Sequence, residues 1–170
     1  MEDLESKINN VLNILKISVA EFYFKDETLR KNGFHCHDGM EQASAFRIGH
    51  YFCKQIEKTD FHFYDIDMEY NKHKCNKKCI CGKDGVRPDL IMHKRGIDDY
   101  NLLVVEFKYG FKKDTQDDEN KLIEFTRKKG DYKYDIGALI VLENNYVEYR
   151  FFQDGEELKK EKYSIEVLYH

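Results

Sequence analysis

The stretch VRPDLIMHKRGIDDYNLLVVEFK, Val86 to Lys108, decides how this chain is read. Two largely apolar segments, Val86–Lys94 and Leu102–Tyr109, flank a polar turn at Gly96-Ile97-Asp98-Asp99 and predict a pair of strands. Leu102-Leu103-Val104-Val105 is an uninterrupted apolar run, and such a run suits a central strand covered on both faces. Folded antiparallel about the turn, the pair sets Lys94 against Asn101, Ile91 against Val104 and Asp89 against Glu106.

Directly opposed residues carry Cβ atoms roughly 5 Å apart. Asp89 and Glu106 are thus pressed together on one face of a buried sheet, where repulsion and desolvation both oppose ionisation. A divalent cation between them removes the conflict. Lys108, two residues beyond Glu106, shares the face and brings an amine that can hold or deprotonate a water. Mg²⁺ (or Mn²⁺) suits the set, because Mg²⁺ takes one or two carboxylates, keeps several waters and binds phosphate oxygens.

Working outward, Leu4, Ile8, Val11, Leu12, Leu15 and Val19 recur at helical spacing and predict a helix from residue 4 to about 23. Asn32-Gly33 reads as a break, and Asp38 as the cap of a second helix from Met40 to Lys58. In that helix Glu41, Ala45, Ile48 and Phe52 share one otherwise apolar face, which aims Glu41 inward as an accessory acid. His62–Tyr70 predicts a strand, and residues 71–85 a Cys- and Lys-rich loop insertion. Beyond the central pair, Asp114–Lys129 reads as a polar helix ended by Gly130. Ile136–Leu142 and Tyr146–Phe152 read as a hairpin about Glu143-Asn144-Asn145, and Lys162–Tyr169 as a weakly alternating last strand. This order predicts one α/β or α+β domain over residues 1–170, with a mixed sheet of four to five strands flanked by helices.

Pro88-Asp89, a short gap, and then Glu106-Phe107-Lys108 on an apolar strand resembles the signature of the PD-(D/E)xK, or restriction-endonuclease-like, nuclease superfamily. The preceding helix with Glu41, the following helix with Lys121, and the order of elements from about residue 38 to 142 resemble it too. The resemblance implies a four-stranded mixed sheet flanked by helices and Mg²⁺-dependent hydrolysis of nucleic-acid phosphodiesters, usually DNA. It implies that Asp89, Glu106, the Phe107 carbonyl and the accessory Glu41 bind the metal, and that Lys108 orients the attacking water.

Each residue also has a plainer reading. Asp89 follows the only proline at a strand start, and Glu106 with Lys108 could be an exposed pair on an edge strand. Glu41 near a helix start is favoured by the helix dipole alone. Lys121 is a candidate phosphate contact or a solvated helix lysine, and Asp118 reads as a first-turn acid. Arg87 and His93 flank the motif on its strand as candidate substrate contacts, with packing the alternative.

His73, Cys75, Cys79 and Cys81 place four potential zinc ligands within nine residues, although the overlapping spacing is not a common knuckle. His35, Cys36 and His37 are distant candidates for the same ion. The alternative is an exposed basic loop with free thiols. Its five lysines, Lys72, Lys74, Lys77, Lys78 and Lys83, make it the best local footprint for a phosphate backbone.

The net charge of −4 gives no overall nucleic-acid signature, so such a partner must be bound locally or through a metal. Met1-Glu2-Asp3-Leu4-Glu5 is acidic where a signal peptide is basic, and no apolar run approaches a membrane span. The expectation is a cytoplasmic protein with reduced thiols and no membrane partner. No dimer face is readable, although many proteins of this resemblance act as dimers. The competing function is a non-catalytic binding module, for nucleic acid or protein, on the same fold and stabilised by zinc at the Cys cluster.

Overall fold

A computed structural model of the chain describes residues 3–36, 40–73, 76–80, 83–110 and 114–169. The apolar repeat at the start forms α1 (Leu4–Lys25), which Asp3 caps by accepting a hydrogen bond from the Ser6 N–H at 2.7 Å. The chain breaks at Asp26, not at Asn32-Gly33 as the sequence suggests. α2 (Glu27–Cys36) runs straight through that dipeptide. A glycine within a helix costs only about 1 kcal/mol. Tertiary bonds hold α2 in place: buried Arg30 donates to the Asn144 carbonyl and side chain at 3.0 and 2.8 Å. The Asp26 corner is tied to α3 (Met40–Ile56) by Arg47 at 2.9 Å and by the Tyr51 hydroxyl at 2.6 Å. Asp38, the expected α3 cap, lies outside the described residues.

After α3 come β1 (Asp65–Met68) and two minimal hairpins, β2 (Lys72–His73) with β3 (Asn76–Lys77), and β4 (Cys79–Ile80) with β5 (Lys83–Asp84). β6 (Leu90–His93), β7 (Leu103–Tyr109), α4 (Gln116–Thr126), β8 (Ile136–Leu142), β9 (Tyr146–Gln153) and β10 (Glu156–Ser164) complete the main elements. The principal sheet has the order β1-β6-β7-β8-β9-β10. Its neighbours are antiparallel except β7 and β8, which are parallel and joined by the α4 crossover. The molecule is thus an α/β protein with a mixed sheet flanked by helices.

The sheet has six strands, not four to five. The extra strand is β10 (Glu156–Ser164), which starts six residues before the expected last strand Lys162–Tyr169, and Ile165–Tyr169 form a 3₁₀ turn instead of strand. Six of its nine residues are charged and most are exposed, so no alternation announces it. Its hairpin is set by Asp154-Gly155, whose φ angles of 52° and 82° match a two-residue turn with both residues left-handed. The first strand is shorter than His62–Tyr70, because residues 57–63 form turns below α3. β6 begins only at Leu90.

Alternate residues of the sheet meet different partners. Leu90, Met92, Leu103, Val105 and Phe107 pack toward α1 and α3, whereas Ile91 and Val104 pack toward Leu122 and Phe125 of α4. Gly49 lets α3 press on β1, since a Cβ there would lie 2.7 Å from the Met68 sulfur. Among the described residues no helix is long and apolar enough to cross a membrane.

Candidate active site

The β6–β7 ladder pairs Leu90 with Val105, Ile91 with Val104 and Met92 with Leu103. That is the register expected from the turn, although Lys94 bridges Ile97 and a 3₁₀ turn at Asp98–Tyr100 follows. The ladder ends at Leu90, and Asp89 caps it. Its Oδ2 accepts a hydrogen bond from the Phe107 N–H at 2.7 Å, continuing the pairing through a side chain. A strand residue's N–H and C=O leave the same edge, so the Phe107 carbonyl also faces this open margin.

Glu106 points to the α4 side between the apolar neighbours Val105 and Phe107 and is 2% exposed. Its Oε2 lies 3.3 Å from Lys121 Nζ, and its buried Oε1 has no hydrogen-bond partner. Burial first, and then the charge of Asp89, hold its carboxyl well above the usual range. Burial likewise pushes Asp89 up to about 6, with Glu41 adding to the shift and the Phe107 N–H opposing it.

Two lysines frame the pair through one acid. Asp118, buried on α4, lies 2.8 Å from Lys121 Nζ through Oδ1 and 2.5 Å from Lys108 Nζ through Oδ2. Burial pulls the Lys108 amine's pKa down, but the Asp118 hydrogen bond and charge more than reverse it. The net shift is upward, so Lys108 is a firm ammonium. Lys121 is raised in the same way, burial being outweighed by Glu106 and Asp118. Lys108 is therefore suited to orient a water and balance negative charge rather than to take a proton.

Glu41 arrives on the inward face of α3, as its spacing with buried Ala45, Ile48 and Phe52 requires. Its Oε2 accepts a hydrogen bond from the Tyr109 N–H at 3.1 Å, so it reaches the same edge of β7 as Asp89. Asp89, Glu106, Lys108, Glu41 and Lys121 therefore gather about one end of β7. Asp118 belongs with them and was read from sequence as an ordinary first-turn acid. The signal that reveals it is the inward stripe Asp118, Leu122, Phe125 at i, i+4, i+7.

Other named residues lie elsewhere. His93 sits four residues along β6 from Asp89, about 13 Å at strand rise. It is 5% exposed, with Nε2 2.9 Å from Asp67 and its ring against Tyr70, so packing is what its surroundings describe. Arg87 is exposed and lies 3.7 Å from Glu69. Lys78, expected in an exposed basic loop, is 2% exposed and donates to the Tyr70 carbonyl at 2.9 Å. Burial lowers its amine to about 8, because the loop folds under itself and carries the lysine beneath Tyr70. Of the zinc set, Cys79 is exposed. Cys75, Cys81 and His37 lie outside the described residues, as do the side chains of His73, His35 and Cys36.

Among the described residues, no three Asp, Glu, His or Cys side chains form a ready-made metal cage. Neither family models, nor curated proteins, nor solved structures match the chain.

Proposed function

We propose that this chain is a metal-dependent phosphodiesterase of the restriction-endonuclease-like kind, acting on nucleic acid and in the first instance on DNA. The observation that carries the reading is Glu106, a carboxyl group buried to 2% exposure with an unpartnered oxygen, beside a second, half-buried acid that caps the neighbouring strand. Lys121 meets only Oε2 of Glu106, so the pair gains from a further cation at Oε1 and Asp89. The succession α3–β1–β6–β7–α4–β8 supports the reading, since it has the element order that the motif's resemblance implies.

The donors fit Mg²⁺ or Mn²⁺: hard carboxylate oxygens from Asp89 and Glu106, with Glu41 and the Phe107 carbonyl at the same edge. A metal held there would polarise a phosphoryl oxygen and lower the pKa of a bound water. The chain's own part is positional and electrostatic. Asp118 fixes Lys108 and Lys121 as ammonium groups on the α4 side, where Lys108 orients the attacking water and Lys121 offsets charge gathering beside Glu106. The apolar walls above and below β7 keep the local dielectric low, so each of these charges acts more strongly than in water.

The test is a cleavage screen over structured and single-stranded DNA and RNA in Mg²⁺ or Mn²⁺, paired with calorimetric titration of either metal. Wild-type protein is expected to bind metal and cut, and Asp89→Asn and Lys108→Ala to stay folded and fail to cut. Equal cutting by purified Asp89→Asn protein sinks the assignment. Metal binding without cutting would favour a binding module on the same fold.

A further inference from the structure

Beside the carboxylates opens a cleft of about 350 Å³ lined by Gln42, Ala45, Phe46, Met68, Glu69 and Asp89. Asp89 belongs to both places: its carboxylate faces the edge of β7, and the residue itself forms one wall of the cleft. Half of the lining is apolar: Phe46, 62% exposed on α3, with Ala45 and Met68. The rim is polar, with Gln42 donating to Glu69 at 2.8 Å and exposed Arg87 on the other side of that carboxylate at 3.7 Å.

We infer that this cleft seats one unpaired nucleobase of the substrate, with Phe46 as the surface on which it stacks. The inference rests on the phosphodiesterase reading, because a phosphate held through a metal at Asp89 would bring its own flanking nucleoside to the cleft mouth. The volume lies at the lower end of the roughly 300–1,000 Å³ typical of small-ligand pockets. It takes a base with its sugar and excludes a double helix. A paired base has both ring faces covered by its neighbours, so it offers Phe46 nothing to stack on. An unpaired base offers a free π-face. Arg87, freed from Glu69, is placed to meet the next phosphate. The substrate class is therefore single-stranded nucleic acid, or a locally opened site such as a flap, loop or frayed end.

Phe46 is exposed and outside the charged cluster, so replacing it should leave the unfolding midpoint close to that of wild type. The experiment compares Phe46→Ala and Phe46→Tyr proteins with wild type. Cleavage rates are measured on a single-stranded oligonucleotide and on a blunt duplex of the same sequence. Binding is followed separately in a Lys108→Ala background with single strands carrying 2-aminopurine at successive positions. Phe46→Ala should weaken single-strand binding about 5- to 150-fold, the usual worth of one stacked base. It should also abolish quenching at one 2-aminopurine position, while Phe46→Tyr restores both losses, and wild type should cut the single strand in preference to the blunt duplex. Unchanged single-strand affinity and quenching in Phe46→Ala, or no binding of single strands at all, overturns the inference. If wild type cuts no substrate, the phosphodiesterase reading fails, and the quenching measurement still decides whether a base enters the cleft.

Discussion

The two faces of the sheet bury different kinds of side chain from the same strands. Toward α1 and α3 the layer is predominantly apolar, with Val11, Leu15, Phe22, Ile48 and Phe52 set against Leu90, Leu103, Val105 and Phe107. Toward α4 it is apolar only over part of its length, around Ile91, Val104, Leu122 and Phe125. Where β7 approaches its end, that layer gives way to Asp89, Glu106, Lys108, Asp118 and Lys121. Strand alternation divides the labour: Val105 and Phe107 hold the fold while Glu106 between them presents the carboxyl group. A slip of one residue in register would exchange the two roles and defeat both.

The largest contrast should appear in activity. Asp89→Asn is expected to lower Mg²⁺-dependent cleavage by more than about 100-fold, the upper range for residues that merely support a metal ligand. Phe52→Ala, measured below its unfolding transition, should leave the rate per folded molecule nearly intact. Stability should rank them oppositely. Phe52→Ala removes a fully buried ring and should cost about 3–5 kcal/mol by urea denaturation. A loss under 1 kcal/mol would show that the apolar face is not what holds the molecule together.

Asp89→Asn should instead stabilise the metal-free protein. Burial raises the Asp89 carboxyl to about 6, so folding favours its protonated form. Its contribution is therefore least unfavourable below about pH 4, worsens as pH rises toward 6, and stays unfavourable above that. In EDTA at pH 7 the variant should gain up to about 3 kcal/mol over wild type, shrinking to nothing near pH 4. A gain independent of pH would remove the electrostatic explanation. The smallest effect belongs to Lys78, whose amine burial lowers to about 8. Its charged form is penalised in the fold below that pH, and the penalty lifts as pH rises from about 8 to 10. Lys78→Met should thus gain about 1 kcal/mol at pH 7, because relief of the charge is partly offset by leaving the Tyr70 carbonyl without its donor. The gain should vanish near pH 9 and reverse at higher pH in thermal melts, as the lost hydrogen bond outlasts the relieved charge.

How much of this was visible in the residues depends on which physical signal each place carries. The β6–β7 register was legible because one apolar run, one turn and alternation suffice to set it. Glu41's inward direction was legible from helical spacing alone. Asp118 was missed because an acid in a first helical turn has a ready local explanation, and only its phase with Leu122 and Phe125 says that it is buried. β10 was missed because pairing at a sheet margin needs no apolar pattern, yet Asp154-Gly155 signalled the turn. The burial of Lys78 was illegible, since a lysine among lysines looks solvated until the hairpins fold over it.

The charged margin formed by β10 has its own consequence. A nine-residue strand ending a sheet leaves backbone groups unpaired along one side, the arrangement on which chains stack into fibres. Here Glu156, Glu157, Lys159, Lys160, Glu161 and Lys162 make that template costly to dehydrate. Exchanging Lys159 and Glu161 for valine would turn a soluble border into an adhesive one, and turbidity on warming would register the change before any loss of secondary structure.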